Sequence, residues 1–232
     1  MSDQLVTIDR FEPGSTHSRL GLRLLFCVLL VWAAAAATPP AGAQAPEMLD
    51  ARLKVRTIVS GLSQPTNMAF LGPNDFLVLE KATGRVQRVT NGAIAGTVLD
   101  LAVNSASERG LLGIALHPQF PVDPSVYLFW SESSTGADSN SLAEVALLGN
   151  RVDRFVWNGS TLTLAQNIIR LRAFQADAGQ PLRGNHNGGV IRFGPDEKLY
   201  IITGEKFLRR DQWIEWYGTR YADWKKRRAG TR

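Results

Sequence analysis

The sequence predicts an all-β fold of the β-propeller type. Three observations support this prediction: short runs of apolar and β-prone residues recur along the chain, turn residues separate these runs at close intervals, and one turn-and-strand unit repeats. No amphipathic helix pattern interrupts the runs. Repeated groups of short antiparallel strands favour a radial arrangement of sheets, a propeller, over a two-sheet sandwich.

The predicted strands are short, and 44% of the 232 residues are hydrophobic, which is enough to build a core. Each strand is rich in β-branched, aromatic or leucine residues and is bounded by Gly, Pro, Asn or Asp. They cover residues 55–59, 67–70, 76–80, 85–90, 112–116, 126–130, 152–157, 190–193 and 199–203.

The repeat is carried by the turns. Gly-Pro-Asn-Asp at 72–75 and Gly-Pro-Asp-Glu at 194–197 combine a proline, which fixes φ, with residues that bond their own backbone. Similar strands follow both turns, and His-Pro-Gln-Phe at 117–120 is a degenerate third copy. Asn-Gly at 158–159 predicts a further tight hairpin.

The N-terminal segment 1–43 has the layout of a secretory signal peptide. Arginines precede an unbroken apolar run at 24–37, and an Ala-Gly-Ala cleavage site follows at 41–43. The run is short for a membrane span and has no charged stop-transfer flank, which favours export over a retained anchor. We therefore expect a bacterial protein that is exported by the general secretory route to the periplasm or medium, with no stable membrane span.

Removal of the signal would also remove Cys27, the sole cysteine, so the mature chain would form no disulfide. The remaining chain is expected to comprise a linker at 44–54, a propeller segment at 55–206 and an atypical tail at 207–232. Its stability would then depend on the apolar core of the propeller segment.

The net charge of +5 is concentrated at the C-terminus, because nine Lys or Arg residues and three acidic residues lie at 206–232. The preceding body is close to neutral, so the fold itself is not expected to bind nucleic acid. The Trp-rich and basic tail has two readings: an arm for nucleic acid or membrane surfaces, or an out-of-frame extension after Arg210. The absence of helical or alternating spacing favours the extension.

Of the three histidines, one is a candidate catalytic residue. His17 leaves with the signal, and His117 beside a proline is expected to be a hydrogen-bonded, inert turn or core residue. His186 lies in Gly-Asn-His-Asn-Gly-Gly at 184–189, where small residues let a ligand approach the backbone. Glu205 ends the next predicted strand and would orient the imidazole as a base if the two segments are adjacent. Judged by their spacing in the sequence, a histidine and a glutamate such as His186 and Glu205 are more often functionally unrelated.

The second polar candidate is Glu108, which with Arg109 opens directly into an apolar strand. The pair is interpreted either as a surface ion pair that contributes little, or as a polar lip where propellers place their ligand sites. No Cys pair, His-x-x-x-His or acidic calcium loop occurs, and no dinucleotide or P-loop signature is present.

Four ordered blocks of this sequence resemble the pyrroloquinoline quinone-dependent glucose/sorbosone dehydrogenases. Together they extend from about residue 55 to 205, and four ordered blocks are more specific than any one of them. The blocks are GLSQP with MAF at 61–70, EKATGRV at 80–86, ERGLLGIALHPQF at 108–120, and HNGG with FGPD and LY at 186–200.

The resemblance implies a six-bladed β-propeller that carries pyrroloquinoline quinone on its axis, held by calcium. It implies that His186 is the base that takes the hydroxyl proton of a sugar as hydride passes to the quinone, with an external electron acceptor. Glu108 matches a polar active-site position that is often Gln in the family and, with Asn185, is expected to contact the cofactor. Glu205 occupies a family Asp position beside the histidine, and Asn185 replaces an acidic neighbour found in some members.

The family's Arg-Asn cofactor segment, calcium loop and later lysine and arginines have no counterpart before Arg232. The expectation is therefore an incomplete propeller, roughly the first half, that holds no metal and is inactive by itself. Two other functions stay open: a secreted, non-catalytic propeller module that binds sugar or protein, and a calcium-dependent, lactonase-like hydrolase.

Overall fold

The computed structural model describes residues 3–10, 47–174 and 183–204. Strands and turns account for the regular structure of these residues, which confirms the all-β prediction. The strands are β1 Asp3–Arg10, β2 Leu53–Leu62, β3 Pro65–Gly72, β4 Asp75–Glu80, β5 Arg85–Thr90, β6 Ala93–Asp100, β7 Leu111–Leu116, β8 Ser125–Ser133, β9 Val145–Trp157, β10 Leu162–Leu171, β11 Val190–Phe193 and β12 Leu199–Ile202.

The chain divides into two compact units, Val6–Ile58 and Met1–Leu5 with Val59–Arg232. Most residues of β1 and β2 belong to the first unit, and the two strands form a two-stranded sheet. β1 lies within the segment predicted to be a signal peptide. The second unit contains β3 to β12 and all of the candidate site residues that the structure describes.

Three successive antiparallel sheets build the larger unit. Their strand orders are β3-β4-β5-β6, β7-β8-β9-β10 and β11-β12, so each sheet follows the chain without a crossover. The first strands of successive sheets are neighbours, since β7 contacts both β3 and β11. Four-stranded meanders that meet along their first strands are the arrangement of propeller blades.

The repeated turns occupy equivalent places in these sheets. The turn at 72–75 joins β3 to β4, the segment at 117–124 joins β7 to β8, and the turn at 194–198 joins β11 to β12. The prediction of one recurring turn-and-strand unit is therefore confirmed. The Asn-Gly hairpin is also confirmed: Asn158 and Thr161 close the turn between β9 and β10 with a backbone hydrogen bond of 3.2 Å.

Nine predicted strands fall within observed strands apart from Thr203, but the sequence pattern misses β1, β6 and β10. The last two are the fourth strands of their sheets and lie at the edge, where most of their side chains are exposed. The pairing of β10 with β9 is also broken by two register shifts. Without one buried face, a strand lacks the alternating pattern by which it is recognised.

The core lies between the sheets. Leu77, Leu79 and Val86 of the first sheet pack in one cluster with Leu111, Leu128 and Phe155 of the second. A second cluster joins Ala115, Phe129 and Val152 of the second sheet to Ile191 of β11. Burial of these side chains removes apolar surface from water and holds successive sheets face to face.

Part of the sequence predictions concerns residues outside the described ranges. These are the apolar run at 24–37, the cleavage site at 41–43, Glu205 and the tail at 207–232. In the described part of the chain, no helix has the length and apolar character that a membrane crossing requires.

Candidate functional site

The loop at 183–189, which leads into β11, carries the candidate base. His186 has a left-handed backbone with φ of 58°, and Gly188 and Gly189 also have positive φ. A Cβ on Gly188 would lie 2.2 Å from the carbonyl oxygen of Ile202. A Cβ on Gly113 of β7 would lie 1.9 Å from the carbonyl oxygen of Gly189. Glycines are therefore required for the loop to pack between β7 and β12.

The loop lies directly against the segment that precedes β7. The His186 amide donates a hydrogen bond to Glu108 Oε2 at 2.5 Å, and Ser107 Oγ donates to Asn185 Oδ1 at 2.8 Å. The Glu108 amide donates to the Gly184 carbonyl at 3.0 Å. The structure thus brings together three of the four predicted site residues, Glu108, Asn185 and His186, at one exposed edge. The fourth, Glu205, is outside the described residues.

The position of Arg109 shows that the interpretation of Glu108 and Arg109 as a surface ion pair is wrong. Arg109 does not form a surface ion pair with Glu108; its side chain is fully buried. Its guanidinium donates to the carbonyls of Ala173, Leu142 and Arg183, and to Asn104 Oδ1, at 3.0 to 3.2 Å. Burial lowers the pKa of Arg109 to about 10, so it stays charged at neutral pH.

A buried amide pair supports the loop from the other side. Asn187 Nδ2 donates to the Gly184 carbonyl, and Asn187 Oδ1 accepts from Asn150 Nδ2 at 3.0 Å. Asn150 also donates to the Arg172 carbonyl and accepts from Ser131. The sequence analysis missed Asn150 because a single Asn within a strand has no distinguishing pattern.

Lys81 supports the neighbouring segment. Its Nζ donates to the carbonyls of Ser105 and Ser107 at 3.0 and 2.8 Å, and burial lowers the pKa of its ammonium group. In the sequence, Lys81 is part of the block at 80–86 that resembles the family, with no further mark of its role. The signal that could have drawn attention to it is a lysine placed directly after the apolar strand β4.

The turn position and the hydrogen bond predicted for His117 are confirmed. It lies at the turn after β7, where its Nδ1 accepts a hydrogen bond from the Gln119 amide at 3.3 Å. Its ring packs edge-on against Phe193, with centroids 5.7 Å apart. It is thus a turn histidine on another connection than the loop of His186.

The described residues do not by themselves fit the implied cofactor or its calcium. A carboxylate-bearing quinone requires several cationic donors, but the donors of Lys81 and Arg109 point at protein carbonyls and an amide oxygen, which leaves the exposed Arg183 at this loop. Within the described ranges, no group of three or more His, Cys, Asp or Glu residues is arranged to hold a metal ion. What this edge of the molecule does present is an exposed imidazole beside a carboxylate and an amide.

Known proteins are similar to this chain in sequence. A family model described as Glucose / Sorbosone dehydrogenase matches residues 62–214. Quinoprotein glucose dehydrogenase B of Acinetobacter calcoaceticus is 27% identical over 195 residues, which are 82% of this chain and 39% of that protein.

Solved structures are similar as well. A Thermus thermophilus protein described as an oxidoreductase (glucose dehydrogenase) is 34% identical, with a TM-score of 0.50 over 62% of this chain and 38% of that one. The PQQ-bound aldose sugar dehydrogenase of Streptomyces coelicolor is 30% identical, with a TM-score of 0.48 over 66% and 41%.

The chain spans about two fifths of the length of these relatives. The family match nevertheless covers more than half of this chain and includes both segments of the site, 107–110 and 183–189. On this evidence, the chain belongs to the glucose/sorbosone dehydrogenase family.

Proposed function

We propose that this chain supplies the proton-accepting part of a quinone-dependent sugar dehydrogenase, built as a six-bladed propeller. The observation that carries the proposal is the position of His186, on a glycine-bounded loop whose backbone is bonded to Glu108. The family match and the quinoprotein name of the Acinetobacter relative support the reaction class. The substrate would be a sugar and the final oxidant an external electron acceptor.

His186 has the features that a general base requires. Its side chain is exposed, and neither ring nitrogen has a hydrogen-bond partner among the described residues. A neutral imidazole can therefore accept the proton of a sugar hydroxyl. Asn185 and Glu108 lie beside it and can bond neighbouring hydroxyls of the sugar, which would orient the ring. We propose that Glu205 contributes a carboxylate next to the same imidazole.

Pyrroloquinoline quinone and calcium belong to this proposal as family properties. Because the described residues do not fit either group, we infer that other parts of the assembled enzyme hold them. The chain by itself is then expected to lack sugar oxidation even with both groups added. Oxidation through a cofactor requires that its reactive atoms be held against the substrate.

The test uses two forms of the protein. One is the 232-residue chain, and the other is a chimera in which the remaining part of the Thermus thermophilus relative follows Gly204. Both are supplied with pyrroloquinoline quinone, calcium, glucose or another aldose, and an electron-accepting dye. We expect dye reduction by the chimera and none by the chain.

In the chimera, His186→Ala should lower turnover by about 100-fold or more, the usual contribution of a general base. Quinone binding, followed by absorbance titration, should change little. His117→Ala is the matched control and should retain turnover. A loss below about tenfold for His186→Ala would rule out the base role. Lactone hydrolysis without an acceptor, or sugar binding without any turnover, would instead favour the hydrolase or the binding module.

A further inference from the structure

We infer that Arg109 is a positioning residue for the loop at 183–187: its buried guanidinium, together with the amide pair of Asn187 and Asn150, holds His186 in its working position. This inference rests on the proposed role of His186 as base. It concerns residues that contact neither sugar nor cofactor and that act through the loop.

The bonds of Arg109 connect three segments that are distant in sequence. Nη2 donates to the Arg183 carbonyl at 3.1 Å, at the start of the loop. Nε donates to the Ala173 carbonyl, and Nη1 donates to the Leu142 carbonyl. The guanidinium carbon also lies 5.8 Å from the ring centre of Phe174. A planar fork of five donors can make these bonds at once, whereas the point charge of a lysine cannot.

The choice of an arginine here is not explained by stability. Burying a charge is costly. The guanidinium forms its hydrogen bonds with neutral oxygens, and none of these four bonds is to a carboxylate that would compensate its charge. Apolar side chains of similar volume often stabilise a fold as well as buried charged groups do. The buried guanidinium fixes the relative positions of the segments to which it is hydrogen-bonded. One of these segments carries the candidate base.

The rest of the loop is held in the same way. The Gly184 carbonyl accepts from both the Glu108 amide and Asn187 Nδ2, and Asn187 is held in turn by Asn150. The residues on both sides of His186, Gly184 and Asn187, are thus held by hydrogen bonds. His186 itself adopts a left-handed backbone conformation that non-glycine residues avoid. Such a conformation persists only where the surroundings hold it.

The expected consequence is kinetic. A base has to stand within hydrogen-bond reach of the proton that it takes, and a displacement of about 1 Å can cost on the order of 100-fold in rate. Loosening the anchors should therefore lower kcat more than it raises KM for the sugar. A purely structural arginine would instead change global stability and leave the loop no more mobile than the rest of the fold.

Arg109→Lys tests this difference, with Arg88→Lys as the matched control. Arg88 also makes multiple hydrogen bonds, to Asp75 and the Gly159 carbonyl, but these lie in β4, β5 and the β9–β10 turn. Amide hydrogen exchange is measured by mass spectrometry on the 232-residue chain. We expect exchange at 183–189 to rise at least tenfold in Arg109→Lys with β4 and β5 unchanged, and the reverse pattern in Arg88→Lys.

The activity arm uses the chimera. Arg109→Lys should lower kcat about tenfold or more while KM for the sugar stays within about threefold, and Arg88→Lys should change neither. If Arg109→Lys shows no cooperative unfolding transition, Asn187→Ala decides the question, since it removes the bond to the Gly184 carbonyl without burying a charge.

Unchanged exchange at 183–189, or an increase spread evenly over all sheets, would overturn the inference. The exchange measurement requires no turnover, so it remains informative if His186→Ala shows that the base role is wrong. Loop loosening without any loss of kcat would show that the anchoring does not serve the reaction, and would overturn the positioning role.

Discussion

The carboxylate of Glu108 accepts a hydrogen bond from the backbone amide of His186, with an N–O distance of 2.5 Å. The acidic residue therefore acts on the loop of the candidate base through its backbone, and the residue itself is exposed. This hydrogen bond gives the side chain a structural role beside the chemical role that we propose for it. The two roles can be separated by substitution.

We expect Glu108→Gln to retain most of the chimera's turnover and Glu108→Ala to lose about tenfold. The glutamine carbonyl can accept the same hydrogen bond, whereas alanine removes a bond to a charged acceptor that contributes about 1.5–3 kcal/mol. Dye reduction under saturating sugar measures both variants. Equal losses for Gln and Ala would show that the charge matters and the bond to His186 does not.

Gly113→Ala should be strongly destabilising. The added Cβ would meet the Gly189 carbonyl oxygen at 1.9 Å, so β7 and the loop would have to separate. Overpacking of this kind costs about 1–3 kcal/mol. Gly72→Ala is the control, because nothing lies within 4 Å of its Cβ position. Urea unfolding of the two variants should differ clearly, and equal midpoints would contradict the close packing.

The ion pair of Asp75 with Arg88 predicts a pH dependence of stability. Hydrogen bonds from Arg88, the closer at 2.6 Å, hold the pKa of Asp75 below its ordinary value. The unfolded chain then binds this proton more readily than the folded one. The resulting stability is present above the ordinary carboxyl pKa of about 4 and is lost as pH falls through the lowered value.

Accordingly, Asp75→Asn should cost about 1 kcal/mol at pH 7, and the difference from the parent should shrink as the pH falls below about 4. Urea unfolding at a series of pH values measures it. Asp100→Asn is the control, since its pair with Arg85 is long, at 3.4 Å, and exposed, so its removal should change little. A difference for Asp75→Asn that stays constant down to about pH 2 would contradict the pKa argument.

We propose that the protein is exported and cleaved after Ala43, because arginines, an apolar run and an Ala-Gly-Ala site follow one another in the N-terminal segment. N-terminal sequencing of the product from a bacterial periplasm or medium should begin at Gln44. Ala43→Asp, which places a charge in the cleavage site, should leave the precursor uncut. A cellular product that still starts near Met1 would contradict export.

Most of the fold could be predicted from the sequence because it depends on local signals. Strands with one or two buried faces, such as β4 and β8, have apolar runs that the turn residues delimit. The edge strands β6 and β10 could not be predicted, since their exposed faces impose no alternation. For the candidate site, the glycine-rich context of His186 singled out its loop, and the resemblance pointed to Asn185 and Glu108, which the structure places beside it.

By itself, the sequence determined most of the strand-and-turn order and the candidate site residues, because local backbone preference and side-chain type are properties of the residues themselves. Only the tertiary structure decided that the side chains of the adjacent residues Glu108 and Arg109 lie in different environments. One faces the exposed edge and the other is buried among carbonyls that lie 33, 64 and 74 residues away along the chain. Every residue has a carbonyl, so no sequence pattern can mark the few that a buried guanidinium will meet; the packing of the sheets selects them.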